Sequence, residues 1–306
     1  MTIKHIFTTV LLTGTLACGG APDISHKESD PPDGRTVMSG PYLDEDSPGS
    51  EAVIFAPGTV SIEGRYEYAL SIHPEGDRVL FTVEVPEEGA SVWTSSIENG
   101  SWTSPLPVDL SGGAHSNEME AFFSSNGKRV FFAPFTKGMD VRIWSADLTP
   151  SGFANPQPLG EPIARDPSFF PVQANDGSLF YTNLAERAIY RASFDDGRVT
   201  GVEPAGLEIG GHAFPSPDGT FMVLDSASLN SDEQRDIYVA FRNDDGGWGH
   251  PHPLGPEVNT EHSETCPTLS PDGELLFFSR YNEPGQLSNI YWISTTVISD
   301  AALNND

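Results

Sequence analysis

The sequence predicts an all-β protein, a β-propeller of five four-stranded blades closed by an N-terminal strand. Three observations support this prediction: a tight turn that recurs five times, an apolar strand after each turn, and no window that suits an amphipathic helix after residue 40. The turns end in glycines that lie 42 to 54 residues apart, at Gly76, Gly127, Gly177, Gly219 and Gly273. Repeats of this length are typical of solenoids, propellers and tandem arrays.

The same elements follow each turn. Asn-Gly or Asp-Gly supplies the positive φ of a tight hairpin in most copies, and a run of β-branched and aromatic residues comes next. A second strand carries one aromatic residue in each unit: Trp93, Trp144, Tyr190, Tyr238 and Tyr291. In four units a glycine then precedes a further short extended segment. Four strands joined by hairpins are the layout of a propeller blade.

We expect the fifth unit to lack a closing strand of its own, because few residues follow Tyr291. An apolar run at Val53–Val60 precedes the first unit and corresponds to residues 252–258 before the last one. Pairing of this N-terminal strand with the last unit would close the ring and remove an exposed sheet edge. Six blades are the alternative if residues 100–116 or 243–263 contain additional strands.

The last two repeats carry a family resemblance. Ser-Pro-Asp-Gly followed by Leu-x-Phe, then Asp236-Ile237-Tyr238 or Asn289-Ile290-Tyr291, is similar to the WD40-like β-propeller repeat of TolB-type proteins. The stretch 248–292 also resembles a group of secreted bacterial propeller lipoproteins. The resemblance covers about residues 50–298. It implies a propeller fold in the cell envelope, and it implies no particular activity.

The first residues predict a targeting segment. Lys4 precedes an apolar run at Ile6–Leu16 that is too short to span a bilayer and is typical of a signal peptide. The run leads into Ala-Cys-Gly-Gly ending at Gly20, which resembles a bacterial lipobox. This resemblance implies a signal peptide at 1–17 and lipidation of Cys18. The alternative is an ordinary signal peptide that is cleaved nearby.

The rest of the chain divides into three predicted parts. Residues 18–49 are rich in Pro, Gly, Ser and Asp, which predicts a flexible tether. The propeller is expected at 50–298, and a short C-terminal tail at 299–306. We therefore expect an exported monomer that is anchored to a membrane through Cys18 and faces the periplasm or the cell surface.

Composition excludes some functions. The chain has 16 Lys plus Arg against 44 Asp plus Glu, a formal net charge of −28. A nucleic-acid partner is not expected, because no basic patch could displace counterions from its phosphates. Such a surface suits solubility at high ionic strength. Two cysteines give no disulfide framework, and Cys266 is expected to be a buried, inert thiol on an inner strand.

Aligning the repeats identifies candidate ligand-binding residues. Glu67, Glu118 and Glu264 each stand nine residues before a repeat glycine, just ahead of the expected inner strand. Equivalent positions of a propeller form a ring, so these glutamates are predicted to converge at one mouth of the central channel. The alternative is that each glutamate hydrogen-bonds backbone amides of a neighbouring blade and has a structural role.

Other polar residues near these glutamates could complete a metal site. His115, His212 and His262 supply imidazoles, and Glu120 lies near them. Asp166 and Arg65 join the three glutamates as candidate ligand-binding residues. Imidazole and carboxylate together suit a divalent transition metal. The cofactor therefore stays open, with a divalent metal as the candidate.

Most enzyme signatures are missing from the sequence. It has no Gly-x-Ser-x-Gly elbow, no His-Glu-x-x-His motif and no phosphate-binding loop. We therefore favour a non-catalytic envelope module that binds a protein or glycan through one face. The alternative, by analogy with other propellers, is a metal-dependent uronate or polysaccharide lyase. In such an enzyme Arg65, Arg165 or Arg280 would bind the substrate carboxylate.

Overall fold

The structure is a computed structural model that describes residues 42–136, 140–228, 234–281 and 287–298, and the backbone of 37–38. The predicted signal peptide with Cys18, most of the predicted tether and the predicted tail lie outside the described residues. In the described ranges, no helix is both long and apolar enough to cross a membrane. The predicted all-β architecture is confirmed, since almost every regular element is a strand.

Two short strands come first, β1 (Val37–Met38) and β2 (Val53–Ile54). Unit 1 follows and consists of β3 (Tyr66–Ile72), β4 (Arg78–Val85), β5 (Gly89–Glu98), β6 (Ser101–Thr103) and β7 (Leu106–Val108). Strands β3, β4, β5 and β7 pair in that antiparallel order. Strand β6 pairs with the far end of β5 and with β1, which extends the sheet there.

Units 2 and 3 are separate four-stranded antiparallel sheets whose strands pair in chain order. Unit 2 consists of β8 (Asn117–Phe123), β9 (Arg129–Phe135), β10 (Trp144–Thr149) and β11 (Gly152–Pro158). A 3₁₀ turn at Ile163–Arg165 leads into the next sheet. Unit 3 consists of β12 (Ser168–Gln173), β13 (Leu179–Asn183), β14 (Ala188–Asp195) and β15 (Arg198–Pro204).

Units 4 and 5 repeat this layout. Unit 4 consists of β16 (Ala213–Pro215), β17 (Phe221–Ala227), β18 (Arg235–Phe241) and β19 (His252–Pro253). Unit 5 consists of β20 (Ser263–Leu269), β21 (Leu275–Tyr281) and β22 (Ser288–Ser294), with β2 as the neighbour of β22. In all five units, the repeat glycine takes a positive φ in the turn between the first and second strands.

The N-terminal strand pairs with the C-terminal unit. Within the predicted run Val53–Val60, Val53 lies opposite Trp292 and Ile54 opposite Tyr291, in antiparallel register. The amide of Phe55 continues this ladder by donating to the carbonyl of Ile290 at 2.8 Å. Units 5 and 1 also meet at one parallel strand pair, which joins them into a single ten-stranded sheet.

Apolar side chains fill the spaces between consecutive units. Strand β4 shows the pattern: Leu80 packs towards unit 2, whereas Val79 and Phe81 pack towards unit 5. Further apolar clusters join units 2 and 3, units 3 and 4, and units 4 and 5. Each unit therefore buries both faces of its sheet, one against the preceding unit and the other against the following one.

Hydrogen bonds made by side chains also join each unit to the next. In four units, a side chain at an equivalent position of the second strand makes this bond. Unit 2 has Ala133 at that position, and Glu120 of its first strand makes the bond instead. The five bonds join Thr82 to Glu120, Glu120 to Phe170, Thr182 to Gly211, Asp225 to Cys266 and Ser279 to Glu67.

Candidate functional site

The first strands of the units meet at an apolar centre. Tyr68 of unit 1, Phe122 of unit 2, Phe170 of unit 3 and Cys266 of unit 5 are buried there, and Phe214 of unit 4 packs against them. All five units thus contribute a side chain to one cluster, which we call the apolar centre.

A β-bulge shapes each of four inner strands at the level of this centre. The ladder shifts register in β3, β8, β12 and β20, and the bulged residue takes a positive φ. These residues stand seven positions before the repeat glycine, and His212 occupies that position in unit 4. The equivalent set is Ala69, Glu120, Phe170, His212 and Cys266.

Three of these equivalent residues form a polar group beside the apolar centre. The ligand atoms of Glu120, His212 and Cys266 all lie within 4.8 Å of one another. The His212 Nε2 atom is 3.6 Å from Glu120 Oε1. Glu120 and Cys266 are buried, whereas the His212 side chain keeps 16% of its exposure. We call these three residues the central polar cluster. Solvent reaches this cluster at His212.

Asp225 on β17 holds this cluster in place. Its Oδ2 atom accepts hydrogen bonds from His212 Nδ1 at 2.6 Å and from the Cys266 amide at 2.8 Å. Its Oδ1 atom accepts from the His212 amide at 3.1 Å and from Arg235. Because Nδ1 of His212 is bound to Asp225, Nε2 is the nitrogen that faces Glu120.

The charges of this network shift the ionisation of its members. Burial alone would lower the pKa of His212, but the Asp225 carboxylate beside it raises that pKa well above its ordinary value. Burial raises the pKa of Asp225, but His212 and Arg235 outweigh it and hold that pKa below its usual range. Burial raises the pKa of Cys266, so the free side chain is a thiol. The network is therefore an imidazolium–carboxylate pair next to a thiol.

Two glycines in unit 4 lie where a side chain would clash, and one of them, Gly211, makes room for Asp225 beside His212. A Cβ atom on Gly211 would lie 2.0 Å from Arg235 Nη2 and 2.2 Å from Asp225 Oδ1. A Cβ atom on Gly210 would lie 2.6 Å from a side-chain carbon of Ile189. The other units carry larger residues at the position of Gly211, namely Tyr68, Met119, Phe169 and Thr265.

Half-buried aromatic residues flank the central polar cluster. The rings of Tyr66 and Tyr281 lie 5.7 Å apart, and the ring of Phe169 lies 5.4 Å from that of His212. Tyr66 and Phe169 also pack against the apolar centre. We call Tyr66, Phe169 and Tyr281 the aromatic rim. Beside it, the Tyr68 hydroxyl donates to Glu84 Oε2 at 3.3 Å.

The three glutamates predicted to line the channel have other contacts. Glu118 accepts from the amides of Leu110 at 2.9 Å and Ser111 at 2.7 Å, on the segment that leads into β8. Glu264 likewise accepts from Thr260 on the segment before β20, at 2.6 Å from its hydroxyl.

Glu67 follows the same pattern, accepting from the Ile62 amide at 3.2 Å and from Arg65. Each of the three glutamates therefore bonds to the connecting segment that enters its own strand. None of these bonds reaches the strands of a neighbouring unit. Burial raises the pKa of all three carboxyls, and that of Glu67 reaches about 7.

The predicted histidines do not come together. The His115 ring lies edge-on to Trp144 at 4.9 Å, and the His262 amide donates to Thr260 at 3.2 Å in the loop before β20. Of the three, only His212 joins the central polar cluster. Asp166 accepts from Asn183 at 3.1 Å, away from that cluster's ligand atoms.

The predicted arginines are engaged elsewhere. Arg65 donates to Glu67 and to the carbonyl of Val60, and it lies over the ring of Trp93. Arg280 is buried and donates to Glu264 at 2.8 Å. Arg165 is 72% exposed and faces Glu161 at 3.7 Å.

Sequence alignment of the repeats could have identified the central polar cluster at a different offset. Seven residues before each glycine, rather than nine, brings Glu120, His212 and Cys266 into register. The described residues contain one further group that could hold a metal, namely His73, Glu75 and Asp77 in the first repeat turn. Both ring nitrogens of His73 already have partners, Asp77 at 3.0 Å and the carbonyl of Gly127 at 3.2 Å.

No protein-family model matches the sequence, and no curated protein is similar to it in sequence. Among solved structures, a putative TolB from Agrobacterium tumefaciens is similar in fold, with a TM-score of 0.50, 19% identity and 71% of each chain covered. The catalytic domain of a GH62 α-L-arabinofuranosidase from Coprinopsis cinerea gives a TM-score of 0.53 and 12% identity over 80% of this chain and 98% of that domain.

TolB from Acinetobacter baumannii gives a TM-score of 0.48 and 16% identity over 75% of this chain and 57% of that one. At these identities the similarity shows the fold alone. The chain has a fold like that of the TolB β-propeller proteins.

Proposed function

We propose that this protein is an exported lipoprotein of the cell envelope whose β-propeller acts as a binding module, with a glycan as the ligand of its aromatic rim. The proposal combines three parts: a closed five-bladed scaffold, a lipid anchor at Cys18, and a binding surface at the centre of the ring. We further propose that the chain belongs to the TolB-type, WD40-like repeat family that its last two repeats resemble.

The closed ring is supported by the contacts between units. Apolar clusters join each unit to the next and unit 5 back to unit 1. The inner strands share one apolar centre, and β2 supplies the fourth strand of unit 5. We infer five blades, each corresponding to one unit.

The aromatic rim is the observation that favours a glycan. Tyr66, Phe169 and Tyr281 are half-buried, so their rings are held in place while part of each stays open to solvent. Aromatic faces stack on the apolar face of a sugar ring, and nearby polar groups can bind its hydroxyls. Glu84 and His212 lie beside the rim and supply such groups. A formal charge of −28 disfavours polyanionic ligands at the same surface.

Binding of purified cell-envelope polysaccharides, screened on a glycan array and measured by calorimetry, tests the proposal. We expect Tyr66→Ala and Tyr281→Ala each to weaken binding of the best glycan at least about tenfold, as truncation of a central aromatic does in other interfaces. Trp248→Ala is the matched control, because this aromatic stacks on Arg242 in the hairpin after β18, away from the rim. Loss of binding in the control alone would place the ligand elsewhere.

A protein partner is the other outcome that the same variants separate. If no glycan binds but an envelope protein is captured by the wild-type chain and not by Tyr281→Ala, the module binds protein through this rim. A uronate lyase has less support, because Arg65 and Arg280 are each tied to a glutamate and to a backbone carbonyl.

A further inference from the structure

We propose that the central polar cluster is a metal site. Glu120 Oε1, His212 Nε2 and Cys266 Sγ would bind one divalent transition metal, and zinc is the ion that we expect. The site does not depend on glycan binding, and either proposal can fail without the other. The ligands come from three different units, 2, 4 and 5, so one cation would hold them together at the centre of the ring.

The donor set selects the metal. A thiolate, an imidazole and a carboxylate are the three side-chain types that bind Zn²⁺, and a soft sulfur ligand disfavours Mg²⁺ and Ca²⁺. Three protein ligands leave a fourth tetrahedral position for water or another ligand. His212, the partly exposed member, is on the side from which such a ligand would arrive.

The spacing of the donor atoms suits such an ion. Two donors that each lie about 2.1 Å from zinc at a tetrahedral angle are separated by about 3.4 Å. His212 Nε2 and Glu120 Oε1 lie 3.6 Å apart, and all three donors lie within 4.8 Å of one another. Small rotations of these side chains would therefore bring the donors to bonding distance.

Each ligand is already held from its outer side. Glu120 uses Oε2 to accept from the Phe170 amide at 2.8 Å, which leaves Oε1 for the cation. His212 donates Nδ1–H to Asp225 at 2.6 Å, which leaves Nε2, and the same carboxylate accepts from the Cys266 amide. A carboxylate behind a metal-binding histidine fixes the ring and makes it a better donor. These outer hydrogen bonds, made by Phe170 and Asp225, are a second observation in favour of the site, beside the three ligands.

Cation binding balances by release of protons. Zinc binds the Cys266 thiolate and the neutral His212 imidazole, so the thiol proton and the Nε2 proton leave to solvent. No oxidant or second reactant is needed.

Titration with Co²⁺, a spectroscopic substitute for zinc, tests the site. The starting protein is the full chain carrying Cys18→Ser, in which Cys266 is the sole thiol. We expect one Co²⁺ per chain, a thiolate-to-cobalt charge-transfer band in the near ultraviolet, and displacement of cobalt by Zn²⁺. Adding Cys266→Ser should abolish the band and weaken binding at least about tenfold, because a ligand matters at least as much as the groups that orient it.

Three further variants separate loss of a ligand from loss of the fold. Glu120→Gln keeps an oxygen that can accept from the Phe170 amide, so it should keep the thiolate band while weakening binding at least about tenfold. His115→Gln and His262→Gln remove the histidines outside the cluster and should leave band and affinity unchanged. Circular dichroism and melting without metal show whether each variant is folded.

Three results would overturn the metal site. The first is a folded starting protein that binds neither Co²⁺ nor Zn²⁺. The second is cobalt bound without a thiolate band, or with the band retained in the Cys266→Ser protein. The third is loss of binding in His115→Gln or His262→Gln but not in the cluster variants.

Discussion

Buried carboxylates have two different roles in this protein. Glu67, Glu118 and Glu264 hold the connections that enter their own strands, and burial raises their pKa values. Asp225 is equally buried but lies between His212 and Arg235, whose charges keep its pKa low. At the scale of single residues, two cationic partners outweigh burial at Asp225, whereas the single arginine beside Glu67 and the one beside Glu264 do not.

Glu67 should make the protein less stable as the pH rises. Its pKa is about 7 in the folded chain and near 4.5 in the unfolded one, so the folded state binds the proton more tightly. This contribution is fully present below pH 4.5 and is lost as the pH rises through about 7. We expect the wild-type free energy of unfolding to fall by about 2–3 kcal/mol more than that of Glu67→Gln between pH 5 and pH 8.

Urea unfolding at the two pH values measures this difference. Glu186→Gln, which changes an exposed glutamate, is the matched control and should follow the wild-type profile. Parallel profiles for the wild type and Glu67→Gln would show that Arg65 keeps this carboxyl ionised throughout.

At the scale of elements, the recurring turns and the strands after them could be predicted from sequence because their signals are local. Asp-Gly or Asn-Gly fixes the hairpin, and the following apolar run must be buried on both faces. The contents of the centre could not be predicted in the same way. Bulges at Glu120 and Cys266 change which side chains face inwards. Which residues meet at the centre depends on side chains from units 2, 4 and 5 together, and no single repeat encodes that combination.

The same limit explains the histidines. Sequence proximity to the glutamates placed His115 and His262 beside His212. They precede their repeat glycines by 12 and 11 residues, however, whereas the residues that reach the centre precede theirs by seven. His212 reaches the centre because Gly211 leaves space for Asp225 and Arg235. That requirement involves side chains from two other strands and is not visible in the spacing of the repeat.

Deleting residues 49–62 tests the closing element. The deletion removes β2 and the buried side chains of Phe55 and Val60, and it exposes the edge of β22. We expect aggregation and a lower melting temperature, because an unpaired apolar edge strand recruits other chains. Size-exclusion chromatography and thermal melting measure both effects.

Removal of the predicted tail, 299–306, is the control deletion and should leave the chain monomeric. If the protein without 49–62 is also monomeric and melts like the wild type, β2 is not needed to close the ring.

At the scale of the whole molecule, the predicted anchor at Cys18 would attach this acidic protein to a membrane. Expressed in a bacterial host, the mature protein should partition into detergent and incorporate a fatty-acid analogue, because a lipidated cysteine carries acyl chains. Cys18→Ser should abolish both properties, whereas Cys266→Ser should retain them. A Cys18→Ser protein that is exported and remains equally membrane-bound would show that another feature holds it there.

The pairing of β2 with β22 also sets an order of events during synthesis. Strand β2 is synthesised before units 1 to 4, and its partner β22 is synthesised only after them. Until then Phe55 and Val60, fully buried in the finished molecule, lack the unit 5 part of their apolar cluster, which includes Phe277 and Trp292. A chain with so distant a partner folds late and exposes apolar surface while it waits. We therefore expect chaperones to hold the unfolded chain during export, and we do not expect the units to fold one after another as they leave the ribosome.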